Sequence, residues 1–298
     1  MILFNYALSP YAEKVRLMLG CSGLSWVSVK VPPMPPRKGL DELTGGYNRI
    51  PVAQSGADIF CDTKIITAEI AQAAGRPEFA LDSADPEVAT FARSRERDNF
   101  FPAVRSAPAK AMMVRALREH LPITLMKLMK DRAKMGRASK VKMPNVEESK
   151  KVYQQMLSDL NQQLSDEFLF GGLPSIADFS VYHLVWFNVY LGNQAIPAEF
   201  EKLDAWYQRM TEFGHGNTTR KSMRYALGQA RENQPRQIAS EDIVQGKQKV
   251  SISPDDYRLD PVEGELVGES KQRWIIAREI PKGGVVHVHF PKEGFSIS

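Results

Sequence analysis

"NRIPVAQSGADIFCDTKIITAEIAQAAG", residues 48–75, reads as three elements in a row. Pro51 opens an apolar run, and proline suits the first residue of a strand better than its interior. Ser55–Gly56 interrupts the run, so "IPVAQSGADIFCD" reads as a hairpin. From Thr63 the apolar residues recur at helical spacing until Gly75 stops them. Upstream, "MILFNYAL" is a short, mostly apolar run. "SPYAEKVRLMLGCSG" then places Tyr11, Val15, Met18 and Leu19 on one helical face, with Gly23 as the stop. "SWVSVKV" alternates with the period of a strand, and a loop rich in Pro and Gly runs from Pro32 to Gly46. The order over residues 1–76 is β-α-β-loop-β-β-α.

"RPEFALDSADPE" carries two prolines and no clean period, and reads as a linker. A helical pattern follows over residues 86–233. Pro102, Pro108 and Pro122 are expected to kink or break its long first segment. Asn145-x-x-Glu148 and Ser175-x-x-Asp178 are capping boxes that open two further helices. "SIADFSVYHLVWFNVYL" is apolar almost all round and so buried on most sides. "TTRKSMRYALGQAREN" reads as the end of the helical part. Beyond Pro235, short alternating segments such as "RWIIAREI" and "VVHVHF" mark a small β unit, 236–298. Its size makes independent stability marginal, so it is expected to dock on the helical part.

The totals exclude several classes. The chain has 298 residues, 43% of them hydrophobic, and a net charge of +4, too mild to announce nucleic acid. No apolar run reaches the length of a membrane span, and no signal segment is evident. Two distant cysteines, Cys21 and Cys61, fit a reducing, cytoplasmic setting rather than a disulfide framework. There is no Walker loop, no G-x-G-x-x-G after a strand, no His-Glu-x-x-His and no G-x-S-x-G.

What remains is the start of the first helix, "LSPYAEKVR", residues 8–16. Its unpaired N–H groups and dipole stabilise an anion placed there. Ser9 stands at the N-cap and Pro10 at N1. Ser9 is thus either a plain cap or a hydroxyl facing an anion, and the stretch alone leaves both open. Ser9-Pro-Tyr-Ala12 holds no sulfur, which excludes Cys-x-x-Cys exchange.

The element order, followed by an all-helical part, resembles the soluble glutathione transferases: a thioredoxin-like α/β unit and then a helical domain. "SPYAEKVR", "NRIPV", "CDTKII", "SIAD" and "LDAWYQRM" carry the resemblance in order across about residues 1–230, and the β tail lies outside the common pattern. It implies a serine-type bacterial member, a detoxification-type enzyme using glutathione as co-substrate and working as a homodimer. No metal, membrane or nucleic-acid partner is expected.

On that resemblance Ser9 faces the glutathione sulfur, with Tyr6 a competing hydroxyl. Ile50, before a cis Pro51, pairs with the cysteinyl unit like an added strand. Asp62 and Thr63 take the γ-glutamyl end, and Arg49, or less directly Lys38, the glycyl carboxylate. Ala7, Tyr11, Phe100, Phe101 and Val104 line a pocket for an apolar electrophile. A free thiol, with a pKa of about 8.5, is a weak nucleophile at pH 7. A hydroxyl donor and a helix N-terminus together favour its thiolate, so Ser9 itself attacks nothing. The implied reaction is conjugation, peroxide reduction or dehalogenation. The alternatives are a maleylacetoacetate-type isomerase and a noncatalytic scaffold of the same fold.

Three further features have mundane readings. The basic run 127–143 reads as an exposed helix end and loop, His287 and His289 as a surface or satisfied pair, and Cys61 as a small buried residue.

Overall fold

The computed structural model describes every residue except 120, 142 and 143, together with all side chains but these and that of residue 247. The N-terminal unit runs β1 (Ile2–Asn5), α1 (Pro10–Ser22), β2 (Trp26–Lys30), α2 (Leu40–Thr44), β3 (Val52–Ser55), β4 (Asp58–Cys61) and α3 (Thr63–Ala74). This is the thioredoxin-like order read from the sequence, with the short helix α2 lying inside the Pro32–Gly46 stretch expected to be all loop. Strands β1 and β2 pair in parallel, whereas β3 runs antiparallel to both β1 and β4. Leu3, Ala53 and Phe60 pack against α1 and α3, while Phe4, Val52 and Ile59 face the other way. A sheet covered on both faces needs apolar residues at successive positions, as "ILF" and "IFC" supply.

The helical part comprises α4 (Pro86–Ser106), α5 (Ala109–Glu119), α6 (Pro122–Ala138), α7 (Val146–Gln163), α8 (Ile176–Trp186) and α9 (Glu201–Glu212). In α7, Tyr153, Met156, Leu157 and Leu160 are buried, the i, i+3, i+4, i+7 pattern of one helical face. Helix α8 is buried at every position. Its capping box is formed: Asp178 accepts from the Ser175 N–H at 2.9 Å, and Ser175 Oγ accepts from Ala177 N–H at 3.3 Å. The second oxygen of Asp178 accepts from Trp206 Nε1 at 2.9 Å and Leu169 N–H at 3.0 Å, tying α8 to α9. The prolines act unequally. The chain breaks at Pro108 and Pro122, but α4 continues past Pro102, whose ring is buried in the helix interior.

Two expectations are corrected after α9. Thr218–Lys221 is not helical. It forms β5, parallel to β2, and α10 (Met223–Glu232) then lays Ala226 and Ala230 on the outer face of the N-terminal sheet. The β unit, β6 (Ile243–Pro254), β7 (Val262–Glu269), β8 (Arg273–Glu279), β9 (Val285–Pro291) and β10 (Phe295–Ile297), joins chiefly the N-terminal sheet rather than the helical part. Strand β9 pairs in parallel with β4, Asp58 opposite His287, so ten strands form one sheet in the order β10-β6-β7-β8-β9-β4-β3-β1-β2-β5. Its Ile252, Val262, Val288 and Phe290 share a core with Phe4, Val52 and Tyr47.

Candidate functional site

Ser9 is 2% exposed and caps α1, with Oγ accepting from the Ala12 N–H at 3.2 Å. Among the described residues no acceptor takes the hydroxyl proton. The cap therefore uses an oxygen lone pair and leaves the O–H free to donate. Below it, Arg16 donates to the carbonyls of Tyr6 and Ala7 at 3.2 and 3.1 Å and pairs with Glu13 at 2.6 Å. His215 lies 3.0 Å from the same carboxylate. Burial opposes the charge of Glu13, but His215 and Arg16 outweigh it and lower its pKa. This brace fixes the β1–α1 turn that carries Tyr6, Ala7 and Ser9. Its members look like an ordinary charged helix face in the sequence.

Tyr6 is turned elsewhere. Its hydroxyl accepts from Arg132 Nη2 of α6 at 3.3 Å, and Arg132 also reaches the Pro33 carbonyl at 3.3 Å. Ala7 is exposed.

The Ile50–Pro51 bond is cis. Asp62 has a positive φ of 75° and caps α3, accepting from the Lys64 N–H at 3.0 Å, with Thr63 buried beside it. Lys38 is exposed and holds nothing here. Its neighbour Arg37, 2% exposed, does the structural work. It donates to the carbonyls of Pro32, Pro33 and Asn48 at 2.9, 3.2 and 3.1 Å, bracing the chain that leads to Arg49 and Ile50. Burial is the main influence on its pKa, which falls to about 10.

Arg49 does not stand open. It donates to the Asp256 carboxylate and the Tyr257 carbonyl, and its guanidinium carbon lies 4.0 Å from the centre of the Tyr257 ring. Burial disfavours its charge, yet Tyr257, Tyr47, Asp256 and Asp62 together raise its pKa.

Four of the five residues expected to line an apolar pocket, Tyr11, Phe100, Phe101 and Val104, sit on α1 and α4, while Ala7 stands apart. Tyr11 lies 4.6 Å from Phe100 and 5.1 Å from His183, ring centre to ring centre, and Phe101 lies 6.2 Å from Tyr257. Val104 is half-buried on the same helix. Beneath it, Lys14 donates to Glu96 at 2.7 Å and to Ser180 at 3.0 Å, with His183 Nε2 3.6 Å from Glu96. Burial drives the His183 pKa down to about 4, so it is neutral at pH 7. Tyr11, also buried, has a pKa pushed well up, first by burial and then by Tyr257, Glu96 and Asp62.

Residues 3–78 match the glutathione S-transferase N-terminal domain and residues 144–209 its C-terminal domain. A GST-like protein from Pseudomonas syringae is 32% identical over 100% of this chain and 98% of its own, with a TM-score of 0.78. This chain belongs to the glutathione S-transferase family. A glutathione S-transferase domain-containing protein of Marinobacter aquaeolei VT8 shares 19% identity over 71% of this chain and 97% of its own, TM-score 0.48. For a glutathione S-transferase of Sinorhizobium meliloti 1021 the values are 20%, 70%, 87% and 0.49. Among curated proteins none matches.

Within that family frame, the remaining candidates separate. His289 Nε2 donates to Asp58 Oδ1 at 2.8 Å. No group of three metal-ligating side chains occurs among the described residues. Cys61 is fully buried, and burial pushes its thiol well above the usual range. In the basic run, Lys127, Lys130, Lys134, Arg137 and Lys140 are exposed, and residues 142 and 143 lie outside the described residues. No helix among the described residues is long and apolar enough to cross a membrane.

Proposed function

We propose that this chain binds glutathione and activates its thiolate for attack on a small apolar electrophile. The observation that carries the reading is Ser9: a buried N-cap whose hydroxyl proton is free, at the start of a helix whose dipole favours an anion. Donating that proton to a sulfur stabilises the thiolate without Ser9 losing it. Asp62 and Thr63 are the groups for the ammonium and carboxylate of the γ-glutamyl end, and Ile50 offers its backbone to the cysteinyl unit. Tyr11, Phe100, Phe101 and Val104 would hold the electrophile. Family membership supports transferase-type chemistry in general. Conjugation, peroxide reduction and dehalogenation share the same activated thiolate, and an isomerase would use it as well.

The test is glutathione-affinity retention combined with the thiolate absorbance of the bound cofactor, in wild type and Ser9→Ala. Retention with a lowered thiol pKa in wild type, lost in Ser9→Ala, is the expected result. Binding without a lowered pKa would leave a binding protein and no enzyme.

A noncatalytic glutathione-binding member is the second reading. Its support is the closure of the site: Ser9 is 2% exposed and Arg49 is taken up by Asp256. We also infer a homodimer. Exposed Val114, Leu117, Leu121 and Ile123 on α5–α6 supply apolar area for a second copy, and sedimentation velocity tests it.

A further inference from the structure

The loop between β6 and β7 is the part of the β unit that leaves the sheet. Asp255 N–H is pinned to the Gly294 carbonyl at 3.0 Å. The next residues then cross to the cleft between the thioredoxin-like unit and the helices. Asp256 pairs with Arg49, and its carbonyl accepts from the Lys140 N–H at 2.8 Å, just past the end of α6. The Tyr257 ring fills the space between Arg49 and Phe101. Arg258 pairs with Asp131 of α6. The strap is thus anchored on both sides of the cleft, but unequally. On the thioredoxin-like side, Arg49 is its one hydrogen-bonding partner among the described residues.

Arg49 directly precedes Ile50 and the cis Pro51, the backbone that the glutathione reading gives to the peptide thiol. It is 11% exposed, while the Asp256 carboxylate on it is 43% exposed. Its Nε is buried without a partner. An incoming carboxylate therefore meets a guanidinium already neutralised by a tethered carboxylate of the protein. A tethered group acts at an effective concentration in the millimolar range, so a dilute ligand competes for Arg49 at a disadvantage.

We propose that residues 255–258 are a strap that closes the thiol site, with Asp256 occupying Arg49 in competition with an anionic end of the peptide thiol and Tyr257 covering the Arg49 guanidinium until that end displaces them. The inference rests on the glutathione reading above. It makes the β unit a part of the site: the strap lifts from Arg49 when the ligand carboxylate takes the guanidinium, and it stays joined to the sheet at Asp255.

Calorimetric titration with glutathione of wild type, Asp256→Asn and Arg258→Gln tests this, with hydrogen exchange at the Lys140 amide as a second readout. Asp256→Asn removes the competing charge, and Arg258→Gln loosens the strap from α6 without touching Arg49. Each should bind glutathione about 2- to 5-fold more tightly than wild type, the range of one partly exposed ion pair. Saturating glutathione should speed exchange of the Lys140 amide in wild type, since its acceptor moves away. Unchanged or weaker binding in Asp256→Asn, or slower exchange at Lys140, would overturn the strap while leaving glutathione binding intact. If Asp256→Asn melts far below wild type, Arg258→Gln decides by the same criterion. Failure of all three proteins to bind glutathione would overturn the thiol reading, and the strap with it.

Discussion

His289 Nε2 lies 2.8 Å from Asp58 Oδ1, joining the β unit to β4 through a hydrogen bond between residues 231 apart in the chain. The pair is buried, and Arg236 donates its backbone N–H to the other Asp58 oxygen at 2.9 Å. Burial lowers the His289 pKa and outweighs the opposing pull of Asp58. On Asp58, burial pushes upward but His289 and Arg236 prevail, so its pKa is lowered. The unfolded chain therefore binds more protons at both positions, and stability rises with pH. The His289 share is lost as pH falls below the ordinary histidine value of about 6.5, and the Asp58 share only below about 3.8. Thermal melts from pH 7 to pH 5 should show a falling midpoint, with a smaller fall in His289→Gln.

Asp178 holds donors from three segments: Ser175, Leu169 and Trp206. Burial raises its pKa against these hydrogen bonds. Asp178→Ala removes the acceptor and strands buried N–H groups, which should cost about 3–5 kcal/mol. Urea unfolding, read from the midpoint at constant slope, measures it.

Gly20 sits where α1 meets the turn after α9. A Cβ there would lie 2.2 Å from the Gly214 carbonyl oxygen and 2.7 Å from that of Phe213. Both are backbone atoms, so the clash cannot be relieved by a rotamer. Gly20→Ala should destabilise by about 1–3 kcal/mol despite the better helix propensity of alanine. The melting temperature of the variant is the check.

Tyr6→Phe and Ser9→Ala should differ in kind. Ser9→Ala loses a cap worth about 1 kcal/mol and raises the pKa of bound glutathione. Tyr6→Phe removes the acceptor of Arg132 and should leave that pKa unchanged. Thiolate titration of both variants separates the roles.

Deleting residues 236–298 should give insoluble protein. Ile59, Tyr47 and Cys61 lie in the same core as Val288 and Phe290 and would be uncovered together. Expression and light scattering of the truncated chain test this.

The N-terminal order was legible because its signals are local: a proline before a hairpin and glycines that stop helices; in the helical part, serine and asparagine caps three residues ahead of an acid do the same. Ser9 as a helix cap follows from that order, whereas Asp62 and the aromatic candidates are placed by the family resemblance alone. What stayed hidden was long-range. "TTRK" is exposed at all four positions, so no alternation betrays β5, which exists by pairing with β2. The pairing of β9 with β4 has no local mark, and neither does the seizure of Arg49 by Asp256. Arg37 and Arg16 carry no local mark, because their carbonyl partners are set by tertiary structure. At Pro102 α4 does not break, because its packing on α7 and α8 holds the helix through the proline.

The seam between β4 and β9 also sets an order of events in synthesis. Asp58 leaves the ribosome well before its partner His289, which follows 231 residues later. Until then the early strands wait with one side unpaired, and contacts so distant in sequence form slowly. The nascent thioredoxin-like unit is therefore the stage at which this protein most needs a chaperone.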